Sequence, residues 1–194
     1  MSGLSRTRRW VWRVVTLTVL LGVPALMLSG QGQFFRGTLS GPTDTTSRIS
    51  SCLPGEPVEI MNSRMISHRD ASTVEYNSIP PTSGPRYAFT VAPGVYQSPI
   101  PEGLSVRAME HGHVIIQYAP TTATADIAAL SRVAKRHGAN VILAPYPKLD
   151  HGIALTAWGR IDHLDRYDER RVTEFIEELS GRYNHGWTTD DDCA

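Results

Sequence analysis

The stretch Ala108-Met109-Glu110-His111-Gly112-His113-Val114-Ile115-Ile116-Gln117-Tyr118 joins a polar segment to an apolar run. Its second half, from Val114 to Tyr118, is mostly β-branched or aromatic, which predicts a buried strand. The preceding residues place a carboxylate and two imidazoles within four positions, from Glu110 to His113. No other stretch is as dense in side chains that can do chemistry, so we take it as the centre of the folded domain.

The sequence downstream of this strand alternates between amphipathic and buried segments. The predicted elements are a helix over 124–137, strands over 140–144 and 152–159, and a helix over 168–180. Thr124 suits the N-cap of the first helix and Gly138 its C′ position. The order of strand, helix, strand, strand, helix predicts an α+β domain with a mixed sheet covered by two helices on one face.

The sequence upstream of the strand is rich in turn-forming residues. Residues 56–75 predict short extended pieces, of which Val58-Glu59-Ile60 is the best, and 99–103 predicts a turn. Pro80-Pro81-Thr82-Ser83-Gly84-Pro85 excludes both a helix and a central strand, because proline cannot donate to either hydrogen-bond pattern. This segment predicts a rigid loop, which is either a surface turn or a loop that presents the hydroxyl groups of Thr82 and Ser83 to a site.

The first thirty residues carry a membrane-targeting pattern. Basic and acidic residues are equal in number over the whole chain, but four arginines and no acidic residue fall in this part. Residues 1–13 form a basic flank, and 14–29 form a nearly continuous apolar run behind Trp10 and Trp12. The pattern predicts a single-pass signal-anchor with its N-terminus in the cytoplasm and the domain outside the cell. The alternative is a cleaved secretory signal, which also places the rest of the chain outside the cytoplasm.

The remainder divides into a tether and a body. Residues 30–51 are rich in Ser, Thr and Gly and predict a flexible linker, and 52–194 predict one extracytoplasmic domain. Without the four N-terminal arginines the chain has 15 basic and 19 acidic residues, which argues against nucleic-acid binding. The chain contains two cysteines, Cys52 and Cys193, and outside the cytoplasm such a pair predicts a disulfide bond.

His111 and His113 are candidate metal ligands. They would share one face of the strand if the strand began by Glu110, and two neighbouring imidazoles suit zinc or copper. The candidates for a third ligand are His68, His151, His163 and Glu110, of which His68 or Glu110 is preferred. The alternative is structural, with one histidine bonded to a neighbouring loop and the other facing solvent. Gly112 between them often marks a bulge or a close approach of two backbones, and a bulge would separate the two faces.

A hydrolase triad can be drawn from Ser83, His111 and either Glu110 or Asp150. A Gly-x-Ser-x-Gly nucleophile elbow is absent from the sequence. Hydrolysis is therefore the remote alternative among the functions considered.

The loop Pro80–Pro85 and the triplet Glu110-His111-Gly112 resemble the motifs of domain-of-unknown-function family 3105, which occurs in bacterial membrane-anchored proteins. Ala144-Pro145-Tyr146-Pro147 and Thr156-Ala157-Trp158-Gly159 also resemble that family. The resemblance covers about 58–183 and implies no particular reaction.

The resemblance also suggests which positions matter. Members similar to this chain often have histidine where this sequence has Arg86 and Arg107. It therefore implies that this member lacks two potential metal ligands, and that its arginines bind an anion or pair with Glu110. His68 and His111 stand where the family tends to have histidine, whereas His113 stands at a variable position.

These observations favour a membrane-anchored extracytoplasmic binding or structural module. Its expected partners are the membrane, through the N-terminal helix, and an extracytoplasmic protein. The candidate site lies where the proline-rich loop meets the central stretch, and its residues are Thr82, Ser83, Arg86, Arg107, Glu110 and His111. The alternative is a zinc- or copper-binding domain or metalloenzyme at His111, His113 and His68. The sequence therefore predicts an enzyme only if the protein is a metalloenzyme or the remote hydrolase.

Overall fold

The computed structural model of the protein describes residues 53–183. They form a six-stranded mixed sheet with three α-helices and a short 3-10 helix at Ala71–Thr73. The strands are β1 (Glu56–Pro57), β2 (Gly94–Val95), β3 (Val114–Tyr118), β4 (Val141–Pro145), β5 (Ile153–Ala157) and β6 (Arg160–Leu164). The helices are α1 (Glu102–Glu110), α2 (Thr124–Arg136) and α3 (Glu169–Leu179).

The strands lie in the order β1-β6-β5-β3-β4-β2. β3 and β4 are parallel, and α2 makes the crossover that a parallel pair requires. β5 returns antiparallel to β3, and a tight turn leads into β6, which pairs antiparallel with β5. The centre of the sheet is therefore built from β3 and its two neighbours, as the opening stretch of the sequence suggested.

Each face of the sheet has its own core. On one face Val114 and Ile116 of β3 pack with Leu130 of α2 and Phe175 of α3. On the other face Ile115 packs with side chains of α1, including Val106 and Met109. The prediction of two helices covering one face is confirmed, and α1 adds a cover on the opposite face.

The predicted helices and central strands are confirmed to within about two residues at each end, the uncertainty normal for element boundaries. β3 occupies the predicted range Val114–Tyr118. The predicted N-cap is wrong, because Ala123 holds that position without a side-chain bond and Thr124 is the first helical residue. At α3 Asp168 is the N-cap, and its side chain accepts a hydrogen bond from the Arg171 N–H at 3.0 Å.

The sequence reading missed α1 because prolines and a glycine surround its first turn. Pro101 occupies the N-cap, and Glu102 with Gly103 forms the first turn rather than the predicted loop. Helix α1 ends at Glu110, so the segment before β3 is the end of a helix and not the start of the strand. This difference moves Glu110 and His111 off the sheet.

Two further differences concern the edge of the sheet. β6 was not predicted because the polar residues Asp162 and His163 interrupt its apolar pattern. The extended piece expected at Val58–Ile60 is displaced toward the N-terminus: β1 is Glu56–Pro57, and beyond it the Val58 N–H donates to the Gly159 carbonyl at 2.9 Å.

The predicted signal-anchor at 14–29, the linker at 30–51 and both cysteines lie outside the described residues. Within 53–183 none of the helices is long and apolar enough to cross a membrane.

Candidate functional site

A buried carboxylate at the end of α1 is the centre of the candidate site. Glu110 is 6% exposed, and Arg107, one turn earlier, donates from Nη1 to its Oε2 atom at 2.5 Å. Arg86 Nε makes an ion pair with the same oxygen, and Ser63 Oγ donates to Oε1 at 3.1 Å. Three segments far apart in sequence meet at this carboxylate. We call the four residues Ser63, Arg86, Arg107 and Glu110 the arginine corner.

A short parallel pairing fixes Arg86 in the corner. Its backbone N–H donates to the Arg64 carbonyl at 2.9 Å, and its carbonyl accepts from the Ile66 N–H at 2.8 Å. Met65 is the residue paired with Arg86 in this bridge. The two residues of such a pair point to the same side, so Met65 and Arg86 share one side of the pairing. The Arg86 side chain reaches Glu110 at the end of α1, and Met65 lies beside Arg86 on the same side of the pairing.

The Pro80–Pro85 loop precedes Arg86 and lies inside the domain. Its residues are buried, so the surface-turn reading is wrong. The Thr82 carbonyl accepts from the Gly159 N–H at 3.2 Å, and Ser83 Oγ accepts from the Met61 N–H at 3.0 Å. These two hydrogen bonds fix the loop in the domain, and the fixed loop determines the position of Arg86, which follows it.

The electrostatics of the corner favour an ionised Glu110. Burial alone would raise the pKa of this carboxyl group, but the hydrogen bonds and charges of Arg107 and Arg86, with the Ser63 hydroxyl, outweigh burial and lower it. With Glu110 ionised, two arginines and one carboxylate carry a net charge of +1 in a largely desolvated place. The site is thus a cationic one built around an anionic anchor.

The structure does not assemble the predicted hydrolase triad. Ser83 Oγ is fully buried and accepts a backbone hydrogen bond, and Glu110 is held by the two arginines. Asp150 is exposed and follows the C-terminal end of β4, whereas Glu110 lies next to the N-terminal end of β3. Because β3 and β4 are parallel, Asp150 lies at the opposite end of the sheet.

Comparison with known protein families matched residues 68–192 to the family described as "Protein of unknown function (DUF3105)". The match spans more than half of the chain. The chain belongs to the DUF3105 family. The arginine corner of this DUF3105 protein thus draws Arg86, Arg107 and Glu110 from within the matched region and Ser63 from before it. The comparisons with curated proteins and with solved structures found no match.

The two central histidines of this DUF3105 chain leave the helix instead of lying along a strand. His111 is the C-cap of α1, Gly112 has a φ of +83°, and His113 lies immediately before β3. The prediction of a shared strand face is therefore wrong. Burial and then the neighbouring His111 lower the pKa of His113, which favours a neutral imidazole at neutral pH.

The predicted metal ligands are not gathered at one point in the part of the chain that the structure describes. His68 Nδ1 lies 3.4 Å from the Tyr87 hydroxyl group. Between residues 53 and 183, no three or more His, Cys, Asp or Glu side chains are placed to hold a metal ion. The third ligand that His111 and His113 would need is not supplied by His68 or by Glu110.

Two aromatic residues near the corner were missed as site residues. Tyr183 stacks on Trp158 with ring centroids 4.7 Å apart. Burial, followed by the charge of Glu110, raises the pKa of Tyr183, and Arg86 partly opposes this effect. The charges of Glu110 and Arg86 therefore reach the Tyr183 hydroxyl group. Tyr183 is the last residue of the region that resembles the family. Its position in the sequence did not link it to Glu110.

Met65 and Phe89, two of the exposed apolar residues of the described region, lie on opposite sides of the Arg86 pairing. Met65 and Phe89 are each 67% exposed. Met65 shares the side of Arg86, whereas Phe89 stacks on Tyr87 with ring centroids 5.8 Å apart. Tyr87 follows Arg86 directly, so it points to the opposite side. Met65 is thus the exposed apolar neighbour of the corner, and Phe89 belongs to another surface.

Proposed function

We propose that this protein is a membrane-anchored binding module outside the cytoplasm and that the arginine corner is its ligand site. The observation that carries the proposal is the meeting of Arg86 and Arg107 at a single buried carboxylate, Glu110. A structural corner needs one counter-charge for each buried charge, whereas over residues 53–183 the charged contacts of these two guanidinium groups are with one carboxylate. Such an excess of desolvated positive charge is costly unless a further group binds it.

The placement of the corner supports a binding role over catalysis. Its side chains come from a helix end and from a rigid loop, so they are held in fixed positions by packed elements. A carboxylate that two arginines hold ionised is a poor general acid or base at neutral pH, because its pKa lies below the usual range. The same arrangement is well suited to holding a partner in a fixed orientation.

Ligand binding can be tested by thermal unfolding of the full chain in detergent micelles. The ligands would form three charge classes: small carboxylates and phosphate, neutral sugars, and polyamines. We expect at least one class to raise the unfolding temperature of the wild type, because a ligand of the native state stabilises it by mass action. The Arg107→Lys variant keeps the charge but loses the planar fork, so its increase should be much smaller.

Two outcomes would count against this site. A ligand that stabilises the wild type and Arg107→Lys equally would place its binding elsewhere. No stabilisation by any class would leave the corner as a purely structural contact. Arg166→Lys, at an exposed arginine outside the corner, is the matched control and should behave as the wild type.

Membrane attachment is the second part of the proposal, supported by the arginine-flanked apolar run at 14–29. Deletion of 1–29 should move the protein from the membrane fraction to the soluble fraction. Protease added outside intact cells should remove the domain from its anchor. Release of the full-length chain by carbonate washing, or protection from the external protease, would contradict this part.

A further inference from the structure

The two guanidinium groups of the corner have more donors than Glu110 can use. Each arginine carries five N–H donors, and a carboxylate offers about four lone-pair sites. Ser63 already occupies one of these acceptor sites, and both arginines contact the same oxygen, Oε2. Over residues 53–183 the charged contacts of Arg86 and Arg107 are with Glu110. Among the described residues, Glu110 therefore meets only part of the hydrogen-bonding capacity of these two guanidinium groups.

The shared oxygen also brings two like charges together. Arg86 Nε and Arg107 Nη1 converge on one atom, so the guanidinium groups are neighbours. One carboxylate compensates one of these charges, and a second anion would compensate the other. The two side chains are 15% and 18% exposed, so part of each is reachable from solvent. Two neighbouring guanidinium groups favour an oxyanion, which arginine binds through paired hydrogen bonds.

An apolar surface lies next to these donors. Met65 is paired with Arg86, shares its side and is 67% exposed. Methionine is unbranched and polarizable, and it adapts to apolar ligands of different shape. A ligand that meets Arg86 and Arg107 with its anionic group can thus cover Met65 with an adjacent apolar group.

We infer that the ligand of the arginine corner is a carboxylate joined to a short apolar group. This inference rests on the proposed function and narrows it to one ligand class. Two sources share that chemistry: the C-terminus of a peptide that ends in an apolar residue, and a free branched-chain carboxylic acid. Glu110 acts as the fixed first anion that holds the two arginines side by side for the second.

The inference can be tested by isothermal titration of the full chain in detergent micelles with matched probes. N-acetyl-leucinate carries both groups, N-acetyl-leucinamide lacks the charge, and N-acetyl-glycinate lacks the apolar group. We expect the first to bind at least tenfold more tightly than either of the others. The probe 4-methylpentanoate keeps the carboxylate and the branched chain without the amide. Tighter binding of N-acetyl-leucinate than of 4-methylpentanoate indicates the peptide source, and the reverse indicates the free acid.

Substitution of exposed residues separates binding from folding. Met65→Ala should weaken N-acetyl-leucinate three- to tenfold and leave N-acetyl-glycinate unchanged, because only the apolar contact is lost. Phe89→Ala is the matched control, since Phe89 is equally exposed but lies on the Tyr87 side. It should leave both affinities unchanged.

Four results would overturn the inference. Equal binding of N-acetyl-leucinate and N-acetyl-leucinamide would show that the ligand needs no negative charge. That result would reject the inference but leave the proposed binding module in place. Tighter binding of inorganic phosphate than of N-acetyl-leucinate, or equal loss in Met65→Ala and Phe89→Ala, would reject the apolar carboxylate as the ligand. Failure of every charge class to bind would reject both this inference and the proposed function.

Discussion

Glu110 is the residue on which the corner depends. Its carboxylate lies in the protein interior and is the common contact of Arg86, Arg107 and Ser63. Removing its charge leaves two neighbouring guanidinium groups without their counter-charge. The residue-scale consequence is a loss of stability that depends on pH.

We predict that Glu110→Gln lowers the free energy of unfolding at neutral pH by about 3 kcal/mol, since a broken buried ion pair leaves uncompensated charge. The glutamine amide keeps the shape but cannot balance the arginines. Chemical denaturation monitored by circular dichroism measures the difference. Glu174→Gln is the control, because Glu174 lies in an exposed pair with Arg170 and its loss should cost about 0.5 kcal/mol or less.

The difference in unfolding free energy between the wild type and Glu110→Gln should disappear at acid pH. The pKa of Glu110 is lower in the folded state than its ordinary value of 4.5. The stabilisation is therefore fully present above pH 4.5, and it is lost as the pH falls from there through the lowered folded-state pKa. The wild-type and Glu110→Gln stabilities should converge over that range. A difference that stayed constant down to pH 2 would show that the charge of Glu110 does not stabilise the fold.

At the scale of elements, the junction between α1 and β3 is the tightest backbone crossing near the site. Gly112 has a φ of +83°, and its carbonyl accepts from the Gly181 N–H at 2.7 Å. A Cβ atom at Gly112 would lie 2.6 Å from the Tyr183 carbonyl oxygen. This contact brings the chain after α3 against the end of α1, beside the corner.

We predict that Gly112→Ala lowers the free energy of unfolding by about 2 kcal/mol or more, from left-handed backbone strain and the clash with the chain after α3. Hydrogen exchange should increase in the segment that follows α3. Gly138→Ala is the matched control, because Gly138 is exposed and has no positive φ. That change should stay within about 0.5 kcal/mol. Equal effects of the two substitutions would contradict the close crossing at Gly112.

Elements with a clear hydrophobic period were predictable from sequence, and those set by tertiary context were not. The apolar run Val114–Tyr118 is typical of a buried strand, and the apolar stripe of α2 is typical of an amphipathic helix, so both were predictable. α1 was not predicted, because Pro101 is its N-cap and Gly103 lies in its first turn. β6 was not predicted, because Asp162 and His163 interrupt its apolar pattern. Their formation depends on packing partners that lie far away in the sequence.

The candidate site was predictable in its members but not in its geometry. Glu110 and the two arginines were named from motifs, and their pairing was one of two expectations. Ser63 was not named, because its contact with Glu110 joins residues 47 positions apart in the sequence. The expected close approach at Gly112 is confirmed, and it is the same glycine that separates His111 from His113.

At the scale of the whole molecule, the ends of the described region lie near one turn of the sheet. The guanidinium group of Arg160, at the start of β6, donates to the carbonyl groups of Leu53 and Pro54. Tyr183 stacks on Trp158, two residues before Arg160. Cys52 precedes Leu53, and Cys193 is ten residues beyond Tyr183, a stretch that can span roughly 33 Å when extended.

We predict that Cys52 and Cys193 form a disulfide bond in the exported protein. Thiol labelling under denaturing conditions should modify neither cysteine before reduction and both after it. Reduction should lower the free energy of unfolding by about 4–5 kcal/mol, because the bond closes a long loop. The Cys52→Ser/Cys193→Ser variant should match the reduced protein and be insensitive to reductant. Labelling of both cysteines before reduction would refute the bond.

The most direct test of the binding site is the NMR signal of the arginine side chains themselves. Nε–Hε resonances of Arg86 and Arg107 would be followed in the full chain during titration with carboxylates, phosphate, neutral sugars and polyamines, with the exposed Arg166 as reference. We predict that both corner resonances shift and saturate with N-acetyl-leucinate while that of Arg166 stays in place. If no ligand class moves either resonance in the folded protein, the arginine corner is a structural contact and not a binding site.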